Sequence, residues 1–135
     1  MECKSFWNLL ANNGLLSLKN LVVVGDLNLT VSTEEVWGRS VNLGPQAGFF
    51  RALFQAHKLI DVHPDKIVPT WRNGRLGTDS IAKRLDKFLV SEDILLSVGL
   101  YRSWVEYPFV LDHAHVILQL ENTPLFKAYP FKFNS

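Results

Sequence analysis

Three short clusters in this chain combine residue types that act together on phosphate esters. They are Gly25-Asp26-Leu27-Asn28, Arg84-Leu85-Asp86 and Asp112-His113. Together they supply three carboxylates, one amide and one imidazole. Metal-assisted phosphodiester hydrolysis needs such a set. Carboxylates hold a hard divalent cation such as Mg²⁺ through oxygen. The cation polarises a phosphoryl oxygen and neutralises charge as it develops there. A carboxylate deprotonates or positions the attacking water. An amide N–H donates to a phosphate oxygen, and an imidazole does so once a carboxylate behind it fixes its tautomer.

Taken singly, each cluster has a plainer reading. A Gly-Asp after a strand is a turn or a cap. Asp86 between Arg84 and Lys87 is a surface carboxylate. Asp112-His113 is a turn before a strand. His113 and His115, two apart on one strand face, make a weaker pair of transition-metal donors. Residues 72–87 hold five of the fourteen basic residues, Arg72, Arg75, Lys83, Arg84 and Lys87, against Asp79 and Asp86. That excess reads either as a solvated hairpin or as one that lies on a nucleic-acid backbone through salt-dependent phosphate contacts.

The elements that must position these groups follow from periodicity. Residues 4–12 read as a short helix stopped by Asn12-Asn13-Gly14. Leu21-Val22-Val23-Val24 is a β-branched run that reads as a strand buried on both faces, so Asp26 and Asn28 follow its end. Residues 30–48 read as loop. Residues 49–60 carry Phe50, Leu53, Phe54 and Ile60 at helical spacing. Strands are expected over 67–72, 84–90, 101–107 and 113–120, a tight turn at Asn73-Gly74, and a short helix over 92–99. The order predicts an α+β domain with at least one sheet.

Length and composition narrow the class. The 135 residues suit about one domain. The chain is 47% hydrophobic and carries a net charge of +1, which excludes a mostly disordered protein and a uniformly basic one. No stretch approaches the ~20 apolar residues of a membrane span, and no secretory leader is recognisable. A single Cys3 excludes an internal disulfide framework.

The motifs in their order bring a resemblance. Gly25-Asp26-Leu27-Asn28, then Thr70-Trp71, then Arg84-Leu85-Asp86-Lys87-Phe88-Leu89, then Asp112-His113 is similar to the second half of the endonuclease/exonuclease/phosphatase superfamily. That superfamily includes deoxyribonuclease I, apurinic/apyrimidinic endonucleases, sphingomyelinases and inositol-polyphosphate 5-phosphatases. The chain most resembles the endonuclease domains of LINE-type, non-LTR retrotransposons of plants, through Pro69–Asn73, Ile81–Ser91 and Ser103–Tyr107. Pro130-Phe131-Lys132-Phe133 resembles the segment leading towards a reverse transcriptase.

The resemblance implies a DNase I-like four-layer α/β/β/α sandwich, of which residues 1–121 would form the C-terminal half and 122–135 an exit segment. It implies Mg²⁺ as cofactor, DNA as partner and a nuclear location. Asp26 would activate the nucleophilic water, Asn28 would hold the phosphate, Asp86 would orient His113, His113 would contact the phosphate, and Asp112 would sit at the metal. Trp71, Arg72, Arg75, Lys83 and Arg84 would face nucleic acid.

The chain departs from the family at Leu27 (usually Phe), Leu111 (usually Ser) and His115 (often Pro). The family's first half also supplies an Asn and a Glu ligand, and Glu2 is the only carboxylate before Asp26. Activity is therefore expected to be impaired, with a non-catalytic retroelement remnant or a phosphatase of the same superfamily as the alternatives. Half a sandwich would also leave one sheet face bare, exposing on the order of 500 Å² of apolar surface to self-association or a partner.

Overall fold

Trp7, Leu10 and Ala11 lie on one stripe of helix α1 (Cys3–Asn12), and Ala47, Phe50 and Phe54 on one stripe of helix α2 (Ala47–Ala56). Residues three and four apart stack on one face of a helix, so each helix presents an apolar ridge. The ridges meet edge to face. Trp7 packs against Phe50 at 6.2 Å and against Phe54 at 5.5 Å between ring centroids, a preferred geometry for aromatic quadrupoles. The computed structural model describes residues 3–39, 43–107 and 114–122. The proposed exit segment lies outside these residues except for Asn122.

The helices cover one face of a three-stranded antiparallel sheet. Its central strand β6 (Asp86–Ser91) pairs with β1 (Val22–Asp26) on one side and β3 (Leu59–Asp61) on the other. Strand side chains alternate between faces. Val23, Leu59 and Leu89 point at the helices, and Leu89 is 0% exposed. Val22, Val24, Ile60, Phe88 and Val90 take the other face, with Asp26 and Asp86 at its end.

That second face is covered over Phe88 and Val90 by Val62, by Leu95 of helix α3 (Glu92–Ser97), and by Leu118. Leu118 belongs to a hairpin of β7 (Leu100–Glu106) and β8 (His115–Glu121). Val22, Val24 and Ile60 remain exposed, Val24 at 55%. The valine run therefore does not bury both faces as expected. One face meets the helices and the other is largely open.

A second three-stranded sheet consists of β2 (Val36–Gly38), β5 (Ile81–Lys83) and β4 (Trp71–Arg72), in the order β2-β5-β4. β5 and β6 are one extended stretch, interrupted only at Arg84-Leu85, where the pairing partners change. The molecule is thus an α+β fold with antiparallel sheets.

Several boundaries differ from the sequence reading. The segment 30–48 was expected to be loop but includes a 3-10 turn (Thr33–Glu35) and β2. Helix α2 stops at Ala56, and β3 takes over after Lys58, whose φ of 53° breaks the helical path. The strand expected over 67–72 forms a ladder only at Trp71–Arg72. Asn73-Gly74 opens an eight-residue connection to β5 and is not a two-residue turn. Asn73 organises that connection. Its Nδ2 donates to the Asp79 carbonyl at 2.8 Å, and its Oδ1 accepts from the Arg75 and Ile81 N–H groups, each at 3.1 Å. No helix among the described residues is long and apolar enough to cross a membrane.

Leu89 sits where both helices meet the central strand. Leu89→Ala should lower unfolding stability by about 2–5 kcal/mol, read from urea denaturation. Truncating Val24, on the open face, should change it by less than about 1 kcal/mol.

Candidate functional site

The ladder between β1 and β6 places Asp26 directly opposite Asp86. Opposed residues of an antiparallel pair share a face, and like charges so placed repel. Gly25 precedes Asp26 with φ of 132°, a value side chains rarely adopt. Beyond Asp26 the chain turns sharply. Asn28 has φ of 55°, which Asn tolerates better than most residues. The Asn28 N–H donates to Asp26 Oδ1 at 2.9 Å. This turn keeps the Asp26 carboxylate and the Asn28 side chain at the same strand end.

Thr70 ties that end to the strand break. Its buried hydroxyl accepts from the N–H groups of Leu85 (2.9 Å) and Asp86 (3.1 Å), two donors that the change of ladder partners leaves free. The Leu27 N–H donates to the Leu85 carbonyl at 3.0 Å. Asp26, Asn28 and Asp86 are thereby fixed through one stretch of backbone. Asp26 and Asn28 line a cavity of about 470 Å³ together with Thr30, Phe50, Trp71 and Lys83. Trp71 and Lys83 are cross-strand partners, so both point to this side of the second sheet.

The other expected nucleic-acid contacts divide. Arg72 is exposed, yet strand alternation puts it on the sheet face opposite Trp71. Arg75 is exposed in the connection after β4. Arg84 is a correction. It is 2% exposed and cannot reach a phosphate on the surface. Its Nη1 donates to Glu35 Oε1 at 2.8 Å, and its Nη1 and Nη2 donate to the two Asp61 oxygens at 2.9 and 2.8 Å. Lys87, also counted in the basic hairpin, is 1% exposed. Its ammonium binds Glu35 and lies 3.7 Å from Asp61.

Glu35 and Asp61 were not singled out by the sequence reading. For Glu35 a signal existed. Ser32 and Glu35 have the spacing of a capping box, and the structure forms one. Glu35 Oε2 accepts from the Val31 and Ser32 N–H groups at 2.8 and 3.3 Å, while Oε1 faces the two cations. For Asp61, burial raises the carboxyl pKa, but Arg84 beside it, with Lys87 and His63, outweighs burial and holds it below its ordinary value. Arg84 is likewise held above its ordinary value by Asp61 and Glu35, against burial.

Asp112 and His113 lie outside the described residues. His115 is exposed and pairs with Glu106 across the hairpin. Among the described residues no three His, Cys, Asp or Glu side chains converge as a metal cluster. No family model matches the chain, and no curated protein matches it.

Two outcomes follow from these contacts. Thr70→Val keeps the shape but leaves two buried N–H groups without an acceptor. Unfolding stability should fall by about 1–3 kcal/mol, with Thr70→Ser largely restoring it. Asp61 titrates lower in the folded state than in the unfolded one. Its contribution is therefore complete above the unfolded value of about 4 and is lost as pH falls through the folded value. Acid unfolding followed by circular dichroism should show that loss. Asp61→Asn should be less stable at pH 7 yet lose less of its remaining stability between about pH 4 and pH 2.

Proposed function

We propose that this chain acts in Mg²⁺-dependent hydrolysis of DNA phosphodiester bonds, as one half of a DNase I-like sandwich, with Asp26, Asn28, Asp86, Asp112 and His113 as its site. The observation that carries the reading is the cross-strand pairing of Asp26 with Asp86, with Asp26 and Asn28 lining a cavity that Trp71 and Lys83 also line. Two carboxylates opposed at a strand end repel one another, and a bound cation would relieve that repulsion.

Carboxylate oxygens are the donors that a hard cation takes. Asp112 would hold Mg²⁺ through oxygen, Asp86 would orient His113, and when bound the ion would polarise the phosphoryl group. Asp26 accepts a proton from the attacking water, at an oxygen left over from its bond to the Asn28 backbone. The Asn28 amide donates to a non-bridging phosphate oxygen. Lys83 supplies positive charge on the substrate side, and Trp71 offers a flat apolar surface to a sugar or base. His113 donates to the phosphate.

Nicking of supercoiled plasmid by the purified chain tests this. The expected result is slow nicking that needs Mg²⁺, stops with EDTA, and falls at least about 100-fold in Asp26→Asn and in His113→Ala. No nicking by soluble, folded protein would sink the reading in favour of a non-catalytic remnant. Release of phosphate from a small phosphomonoester without plasmid nicking would favour the phosphatase.

A further inference from the structure

A second cleft lies behind the sheet that carries Trp71 and Lys83. The registers of β2, β5 and β4 set Trp37, Ala82 and Arg72 abreast, so these three side chains share the face turned away from the Asp26 cavity. Between them opens a cleft of about 500 Å³, whose lining includes Trp37, Gly38, Arg39, Arg72, Thr78 and Ala82. Ala82 is its buried floor, and its small side chain leaves the gap between the indole and the guanidinium open. At Gly38 an added Cβ would come within 3.1 Å of the Ser80 carbonyl oxygen, so the two edges approach closely there.

The charges in the cleft have one sign. Arg39 and Arg72 are both exposed, and neither has an ion-pair partner among the described residues. No carboxylate lines the cleft, and the Thr78 and Ser80 hydroxyls add hydrogen-bond capacity. Two guanidiniums without an acidic partner among the described residues, beside a partly buried indole, match a ligand that alternates phosphates with planar aromatic rings. In a duplex those rings are stacked inward and cannot meet Trp37. In a single strand they are free to stack on it while the flanking phosphates meet the arginines.

We propose that the Trp37–Arg39–Arg72 cleft is a binding site for single-stranded DNA, separate from the carboxylate pair and independent of divalent metal. Either site can fail without the other, because strand binding is read in EDTA, where no hydrolysis is measured.

The test is fluorescence anisotropy of a labelled oligothymidylate with the full chain in EDTA, over a series of salt concentrations. Saturable binding is expected. In Arg39→Ala/Arg72→Ala the log–log salt slope should fall by about 1.4, or about 0.7 for each lost phosphate contact to a single strand. Trp37→Leu keeps an apolar side chain but removes the stacking face. It should weaken binding roughly 5- to 150-fold with little change in slope. Lys19→Ala, at an exposed cation outside the cleft, should leave the slope as it is.

Absence of binding, an unchanged slope in the double arginine variant, or an equal fall in Lys19→Ala would each overturn the proposal. So would equal competition by a duplex of the same length. If Trp37→Leu does not fold, as judged by circular dichroism, the slope of the double arginine variant decides alone.

Discussion

Arg84, at the break between β5 and β6, and Lys87, in β6, have almost no contact with water, and the rest of the molecule is arranged to make that tolerable. Removing two cations from water costs several kcal/mol each unless partners replace the lost hydration. Glu35 and Asp61 do so, one from the capped turn before β2 and the other from β3. The two positive and two negative charges neutralise one another. The arginine fork engages both oxygens of Asp61, which fixes orientation as well as distance. Glu35 divides its oxygens between the cations and the backbone of its own turn, so the 31–35 segment cannot shift without breaking the cluster. Apolar residues of the same volume could stabilise such a core equally well, but they would not impose these directions.

Those directions matter because the cluster straddles the strand break at Arg84-Leu85. Lys87 and Asp61 point to the helix-covered face of the first sheet, whereas Asp86, between the two cations in sequence, points to the other face. Locking Arg84 and Lys87 therefore locks the pleat, and the pleat sets where Asp86 projects. Thr70 satisfies the two N–H groups freed at the break and carries the same constraint into β4, where Trp71 and Arg72 follow. A one-residue slip in β6 would put Lys87 where Asp86 stands and Phe88 where Lys87 stands, leaving Glu35 without that cation. The buried charges thus select the register that sets Asp86 opposite Asp26.

Residues that act through local periodicity were legible in the sequence. The Phe50–Phe54 stripe and the Trp7 stripe follow helical spacing, and their helices form close to where that spacing puts them. The short β-branched run followed by Gly25-Asp26 forms a strand with its acid at the end. Elements that owe their form to distant partners were not legible. β3 is three residues long and exists because β6 pairs with it, so no pattern of its own announces it. Arg84 looked like a surface cation because its acceptors come from 49 and 23 residues earlier in the chain. The ladder sets Lys83 and Arg72 on opposite faces of the sheet, yet a cluster counted by charge alone merges them. The residues of the Trp37 cleft come from two stretches, one of them read as loop, and only the ladder brings them abreast.

The same alternation explains how one small sheet can serve two surfaces without mixing their chemistry. Its strands are only two or three residues long, so each contributes one side chain or two to a face. Val36, Lys83 and Trp71 fall on the side of the carboxylate pair, with Trp37, Ala82 and Arg72 on the reverse. Lys83 lines the same cavity as Asp26 and brings positive charge to that side. Arg72 beside Arg39 has no acid within its own cleft, so its field stays positive and its guanidinium keeps its donors for a ligand. Placing Arg72 on the first face would have set it against Asp26 and Asp86 as a competitor for any cation there. Separation by the pleat avoids that competition, because side chains on opposite faces point away from each other and a guanidinium on one face does not reach a carboxylate on the other.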